Sequence, residues 1–399
     1  MRSDPRRLRF EIAARDGAAR TGVLHTGHGP VATPAFIPLA TRATVRSLDA
    51  SEVAALGYEL VLGNTFHLLL APGPERVAAL GGLHSFMAWE RAIITDSGGF
   101  QIFSLAHGAV ADEIKGRRRR ESEGKVLEVS EDGVRFRSYV DGTERTLGPE
   151  GSMEVQAALG SDIALVLDEC TPFHADRDYT ARSTERTHRW LDRCLEWHER
   201  GGPPGQAVFG IVQGGVHEDL RRASAERIAA APVDGIAIGG TLGRDKPEMY
   251  GVLDMTLPHL PGDAPKHLLG IGEPDDLMEG IGRGIDVFDC AVPTRLGRHG
   301  MALAPLPDQR FRFDVRRAAY AEDTGPLVEG CPCPACREHT RAYLHYLSRA
   351  EELTGARLIT MHNLTYVERL VAGARDAIAA GEYGRYAAAV LGGAAPWAA

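Results

Sequence analysis

Three short apolar runs each close on an aspartate. AIITD ends at Asp96, IALVLD at Asp168 ahead of Glu169, and VFD at Asp289. An acid in that position is either a helix N-cap or turn residue, or one wall of a shared polar pocket. Other run ends add Asn64, Gln213, Gly239 with Gly240, and Gly272. Two carboxylates in one pocket permit covalent glycosyl transfer: one attacks an anomeric carbon while the other moves the proton of the departing or arriving group. Carboxylates also accept hydrogen bonds from the N–H groups of a guanine-like base edge. Phe100, close after Asp96, offers a flat face on which a base can stack, worth ~1–3 kcal/mol; core packing is its other reading.

A second constellation is metallic. Cys331, Cys333 and Cys336 form C-x-C-x-x-C, with Pro332 and Pro334 between the thiols, and His362 follows 26 residues after the last of them. Three thiolates and an imidazole fill a tetrahedral zinc shell and leave no open position, which makes the site structural rather than catalytic. His339 and His345 are rival fourth ligands. Cys194 reads as a small buried hydrophobe, whereas Cys170 and Cys290 adjoin strand-end acids and are open to ligand contact or a nucleophilic role.

These residues need a scaffold that brings strand ends together. Eight strand-length apolar runs, beginning at Ala35, Glu59, Ala92, Ile163, Ala207, Gly235, His267 and Val287, suit parallel strands buried on both faces. Helical patterns follow several of them, among them SLDASEVAAL, EDLRRASAERIAAA and EPDDLMEGIGRG. Eight alternations predict an irregular (β/α)8 TIM barrel with its chemistry at the C-terminal strand ends; a doubly wound sheet is the alternative. The barrel spans residues 1–300. Its insertion, 108–149, carries Asp132-Gly133 and Asp141-Gly142, which predict antiparallel hairpins. A zinc-binding subdomain takes 301–385, with helices predicted from Glu338 to Leu353 and from about Asn363 to Ala380, and 386–399 reads as a frayed tail.

The 399 residues carry 45 Lys and Arg against 54 Asp and Glu, a formal charge of −9. Disordered, collagen-like and disulfide-scaffold classes are excluded by composition. No apolar run approaches the roughly 18 residues of a membrane span. The start, MRSDPRRLRF, lacks the apolar region of a secretory signal, which predicts a cytoplasmic protein with reduced thiols. A charge of −9 speaks against a nucleic-acid partner. Between Arg283 and Arg349, however, ten basic residues face eight acidic ones, a local +2. The run Arg117–Arg120 has the composition of an RNA contact, but Glu-Ser-Glu follows at once and a solvated loop is the reading preferred to it.

GNTFHL (from Gly63), TDSGGFQ (from Thr95), LDEC (from Leu167), FGIVQGG (from Phe209), FDCAVPTR (from Phe288) and the Cys/His cluster together resemble the bacterial tRNA-guanine transglycosylases, also called queuine tRNA-ribosyltransferases, over about residues 8–382. The resemblance implies exchange of guanine at the wobble position of tRNAs with a GUN anticodon for a 7-deazaguanine, preQ1 or queuine. It implies that Asp289 is the nucleophile of a covalent tRNA intermediate and Asp96 the general acid/base, oriented by Asn64. Ser97, Gly98, Gly99, Phe100, Asp168, Gln213 and Gly240, with Asp96, would hold the base. Gly270, Ile271, Gly272, Glu273, Pro274, Asp275 and Asp276, with Thr294, Arg295, Leu296, Gly297 and Arg298, would border the RNA. Also implied are one structural Zn2+ per chain on Cys331, Cys333, Cys336 and His362, no organic cofactor, no membrane contact, and a homodimer. Two departures bear on the incoming base: the family's GGLAVGE is GGTLGRD here (Gly239 to Asp245), leaving Asp245 to stand in for its Glu, and Leu269 replaces a Met. Cys170 matches the bacterial form and favours preQ1. A non-catalytic RNA-binding partner subunit on the same scaffold is the competing reading, against which stand both aspartates; an unrelated nucleoside-acting barrel is opposed by the Cys cluster and the TRLGR element.

Overall fold

The computed structural model describes residues 8–106, 126–171, 175–240 and 243–399. The expected barrel is present. Its first apolar run is interrupted by Pro38 into β4 (Ala35–Ile37) and β5 (Leu39–Ala40), and the others form β6 (Leu60–Gly63), β7 (Ala92–Thr95), β11 (Ile163–Leu165), β12 (Ala207–Val212), β13 (Gly235–Ile238), β14 (Lys266–Leu268) and β15 (Val287–Asp289). All are parallel, in the order β4-β15-β14-β13-β12-β11-β7-β6-β5. Because β4 and β5 are two halves of one run, the two edges of this sheet meet and the ring closes. A proline cannot donate to a ladder, but its carbonyl still accepts from Leu62 N–H at 3.1 Å. Strands such as β6, β7, β12 and β13 are buried at every position, so their apolar runs are continuous rather than alternating.

The helices predicted after three runs lie at Ala50–Ala55, Glu218–Ala229 and Pro274–Gly282. The first is closed by a capping box in which Asp49 accepts from Glu52 N–H and Glu52 accepts from Asp49 N–H. Within the insertion, β8 (Val126–Ser130), β9 (Gly133–Arg137) and β10 (Glu144–Leu147) form the expected antiparallel sheet, turning at both Asp-Gly pairs. Arg117–Arg120 lie outside the described residues. Unforeseen is an N-terminal antiparallel sheet, β1 (Arg9–Asp16), β2 (Ala19–Thr26) and β3 (Gly29–Thr33).

A second small core contains Phe313, Val315, Leu327, Leu344, Ile359 and the three clustered cysteines, beside the pair β16 (Met301–Leu303) and β17 (Arg312–Asp314). The first helical stretch is split into Pro334–Glu338 and Arg341–Arg349. The final long helix begins ten residues before the expected start and runs Leu353–Ala380, so His362 lies within it, not at its beginning. The segment expected to fray is instead helical at Tyr383–Leu391, buries Tyr386 and Val390, and packs Trp397 edge-on against Tyr366. Its apolar side chains find a surface that local composition does not announce.

Candidate active site and metal centre

At the C-terminal ends of the parallel strands the structure brings several of these side chains together. After β7, Asp96 Oδ1 accepts from Thr65 N–H (2.9 Å) and Gly98 N–H (3.2 Å), and Oδ2 from Asn64 Nδ2 (2.5 Å). Asn64 does two jobs: its Oδ1 caps the helix Thr65–Leu70 through His67 N–H while its amide nitrogen holds Asp96. Burial lifts the Asp96 carboxyl to about 7. The Thr65 N–H opposes this and the charge of Asp289 adds to it. Asp168, after β11, accepts from Ser97 Oγ (3.2 Å) and Gln213 Nε2 (2.6 Å), and burial raises it to about 6 against the pull of Gln213. The other Gln213 atom, Oε1, is buried with no hydrogen-bond partner among the described residues, an acceptor available to a ligand's N–H.

The glycines are there for proximity. A Cβ on Gly239 would sit 2.6 Å from Gln213 Nε2, one on Gly240 2.6 Å from its Oε1, and one on Gly99 2.6 Å from the Asp168 carbonyl. Gly98 has φ +81°, which a side chain would strain. Phe100 keeps 40% of its surface exposed, unlike a core phenylalanine. Glu169, by contrast, turns away from the pocket to accept from Arg186 (2.5 Å) and Tyr179 (2.6 Å).

Asp289 closes β15 on the opposite wall. Its Oδ1 receives Gly270 N–H (3.1 Å) and lies 2.9 Å from His267 Nε2, while Oδ2 has no hydrogen bond or ion pair with a described residue. His267 is fully buried and its Nδ1 has no partner among the described residues. Sequence reasoning passed over it: the residue opens an apolar strand and marks its role only through the strand beside it. The thiols of Cys170 and Cys290 are pushed up by burial to about 12, so neither is a thiolate nucleophile near neutrality.

A second residue was invisible in sequence. Arg221, on the helix Glu218–Ala229, is buried and donates to the carbonyls of Gly215 (2.7 Å), Gly239 (2.8 Å) and Gly240 (2.7 Å), tying the loops after β12 and β13 together. Of the departing loop, Thr241 and Leu242 lie outside the described residues. Asp245 is committed to capping the helix Lys246–Thr256 through Glu248 N–H (3.0 Å).

Around the rim, Glu273, Asp275 and Asp276 do not form a bare negative patch. Lys246 lies 2.6–3.0 Å from all three, and Arg310 and Arg312 pair with Glu273. Gly270, Ile271, Gly272 and Pro274 complete this turn; a Cβ on Gly272 would sit 2.6 Å from Cys290 Cβ. On the helix Val292–Arg298, Thr294 is buried and bonds Ala291 O (3.2 Å), Leu296 packs on the main core, and Gly297 touches the long helix so closely that a Cβ would be 2.6 Å from Thr360 Oγ1. Arg295 and Arg298 remain partly exposed. Burial, then the positive charge of Arg46 and Arg295, lowers the affinity of Arg298 for its proton. None of these three arginines has a carboxylate partner among the described residues.

In the second core, His362 Nδ1 lies 3.5, 3.5 and 3.3 Å from the sulfurs of Cys331, Cys333 and Cys336. Metal–ligand bonds of about 2.3 Å to sulfur and 2.0 Å to nitrogen imply tetrahedral edges of about 3.5 Å, so the four residues fit a metal ion. The Nε2–H of His362 donates to Leu303 O (2.8 Å), which leaves Nδ1 as the free ligand. The rival histidines are employed elsewhere: His345 bonds Val315 O (2.9 Å) and His339 packs on Tyr343.

The barrel, its carboxylates at the strand ends and the Cys3His cluster define a barrel enzyme with a separate metal-binding subdomain. Sequence comparison places it further. A family model described as queuine tRNA-ribosyltransferase matches residues 16–393. A queuine tRNA-ribosyltransferase of Roseiflexus sp. (strain RS-1) is 50% identical, covering 96% of this chain and 99% of the relative. Those of Symbiobacterium thermophilum (46%; 96% and 91%) and Novosphingobium aromaticivorans (44%; 96% and 97%) are similar over the same extent. The chain belongs to the queuine tRNA-ribosyltransferase family, and is a pentosyltransferase. Among the described residues no helix is long and apolar enough to cross a membrane.

Proposed function

We propose that this enzyme exchanges guanine at the wobble position of GUN tRNAs for a 7-deazaguanine, preQ1 in preference to queuine, through an aspartyl-ribose ester. The observation that carries the reading is the unequal state of its two opposed carboxylates: Asp289 is anchored through one oxygen with the other free, and Asp96 is held near a pKa of 7. Once the nucleotide is turned out of the anticodon loop, Asp289 Oδ2 attacks ribose C1′. The C1′–N9 bond breaks and Asp96 protonates the leaving guanine. The incoming base then binds, Asp96 takes its N9 proton, N9 re-forms the bond to C1′, and Asp289 leaves as carboxylate. Asp168 and Gln213 Oε1 accept from the N–H groups of the base edge, Gly240 contributes backbone, and Phe100 stacks on the ring. Arg46, Arg295 and Arg298 take the anticodon backbone.

The metal is Zn2+, held structurally by Cys331, Cys333, Cys336 and His362, and takes no part in the exchange. The pairing of two chains into a homodimer is part of the proposal, supported by the exposed Tyr343, Tyr346 and Leu353 on the metal-binding subdomain. The preference for preQ1 rests on Cys170, and with Asp245 occupied as a cap the specificity loop differs from the family's; incorporation of preQ1 against queuine into a GUN tRNA decides it.

The test of the exchange itself is Asp289→Asn, which keeps the shape and removes the nucleophile. Radiolabelled guanine exchange is expected to vanish while tRNA binding persists. Full exchange in that variant would overturn the mechanism, whereas a parent protein that binds tRNA but exchanges no guanine would favour the partner-subunit reading.

A further inference from the structure

The strands of the barrel are parallel, so residues that precede them gather at the mouth opposite the carboxylate pocket. There, three segments remote in sequence converge. His28 comes from the turn between β2 and β3, His84 from the short helix Gly82–Met87 ahead of β7, and Asp162 from the turn ahead of β11. His28 Nδ1 lies 2.7 Å from Asp162 Oδ1, and His84 Nε2 lies 3.2 Å from Asp162 Oδ2. The two imidazoles are stacked, with centroids 3.6 Å apart and planes 18° from parallel. One nitrogen from each ring and one carboxylate oxygen all fall within 4.8 Å of one another.

The charges in this cluster are unbalanced. Asp162 is 3% exposed at its side chain, and among the described residues its only ion-pair partners are the two histidines. Burial works to raise its pKa, yet the hydrogen bonds from His84, His28 and the Ile93 N–H together hold it below the usual carboxylate range. A buried anion of this kind calls for a compensating cation. Two protonated rings in a 3.6 Å stack would repel each other, so protons supply at most part of that charge. A divalent ion supplies it without charging either ring: it binds His28 Nδ1 and His84 Nε2, and each neutral ring carries its proton on its other nitrogen.

We propose that His28, His84 and Asp162 form a second metal site, separate from the Cys3His cluster, for a divalent transition ion of the Zn2+, Co2+ or Ni2+ kind. The donor set of two imidazoles and one carboxylate suits such ions rather than Mg2+ or Ca2+. Ile93 N–H fixes Asp162 Oδ2 from behind at 2.8 Å. His84 is 14% exposed and His28 44%, so solvent reaches the cluster from the His28 side and completes the coordination shell with water. The ion pins the tip of the N-terminal sheet to the bottom of the barrel.

The test uses the full-length enzyme as purified, with its Cys3His metal in place, titrated with Co2+ at pH 7.5. The wild type is expected to take up one further equivalent with the weak visible bands of nitrogen and oxygen ligands and no thiolate charge-transfer band. Removing even an outer-shell partner costs roughly 10–100-fold in metal affinity, so loss of a ligand in His28→Ala should weaken Co2+ binding more than about tenfold. That variant, altered at a solvent-facing turn, should keep its first metal and its exchange activity; Asp162→Asn serves as a second ligand deletion. Wild-type uptake that stops at one metal per chain overturns the site, as does unchanged second-site binding in His28→Ala.

Discussion

Asp96 and Asp289 repel across one pocket, and that repulsion is removed partway through the proposed reaction. While Asp289 is a free carboxylate, its charge helps burial hold Asp96 near 7. Once Asp289 is an ester the charge is gone, and Asp96 becomes the stronger acid just after giving up its proton. Two pH profiles should therefore differ. Attack on tRNA needs Asp96 protonated, so kcat/KM for tRNA should fall about tenfold per pH unit above about 7. Capture of the incoming base needs Asp96 ionised in the covalent enzyme, where it titrates lower, so kcat/KM for the base should stay level through the same range. Initial rates from pH 5.5 to 9 decide this, and a tRNA profile flat through pH 7 would remove Asp96 as the acid. In the proposed reaction His267 is a positioning residue that acts through Asp289. His267→Leu should lower kcat by about 10–100-fold, as small misplacements of a reacting group do, with little change in KM for tRNA. His267→Gln, which keeps a donor, should recover much of the loss. If both variants weakened tRNA binding and spared kcat, His267 would only be packing.

At the scale of elements, the strand-end loops are placed by contacts that cross between elements. Arg221 links the loops after β12 and β13 through three carbonyls, and Gln213 and Gly240 depend on where those loops lie. Charge-assisted hydrogen bonds contribute roughly 1.5–3 kcal/mol each, and Met replaces only the stem, so losing all three in Arg221→Met should lower stability by at least about 4.5 kcal/mol in a denaturant titration. Below its unfolding transition the variant should show a KM for the incoming base raised more than about tenfold with tRNA affinity intact; an unchanged KM would mean the clamp does not set the base pocket. The same dependence explains what the sequence could disclose. The barrel was legible because each buried strand is a continuous apolar run, and Asn64, Asp96, Asp168, Gln213 and Asp289 because polarity at the end of such a run is conspicuous. Arg221 was not, since a lone arginine on an amphipathic helix reads as surface, and Glu169 gave no hint that Arg186 and Tyr179 would draw it away. The N-terminal sheet carried a usable signal: Asp16-Gly17 joins β1 to β2 by the same pair that marked the two insertion hairpins. The tail did not, because the surface receiving Tyr386 and Val390 belongs to distant residues.

For the molecule as a whole, the formal charge of −9 is a poor guide to an RNA partner, because much of the acidity near the pocket is already answered. Three carboxylates at Glu273, Asp275 and Asp276 meet three cations at Lys246, Arg310 and Arg312. Among the described residues, Arg46, Arg295 and Arg298 have no carboxylate partner, and the first two are close enough to raise the cost of the charge on Arg298. Gly297 and Asn363 fix that cluster to the rest of the fold. The first lets the helix Val292–Arg298 lie against Thr360, and the second donates to Pro293 O (3.0 Å) and Met301 O (3.0 Å) from beside His362. The metal-binding subdomain is thereby coupled to the arginines proposed to take the anticodon backbone. Counterion release from single strands gives a slope of about −0.7 in log K against log salt for each phosphate neutralised. Three arginines thus set a slope of roughly −2 for binding of an anticodon stem-loop, shallow for a tRNA-binding protein. Arg46→Ala should bring it to roughly −1.4 and weaken binding without changing the preference among GUN anticodons, since backbone contacts carry position and not sequence. Equilibrium binding from 50 to 300 mM KCl would test both values. A wild-type slope steeper than about −4, or an Arg46→Ala slope equal to the parent's, would place the phosphates on a different surface.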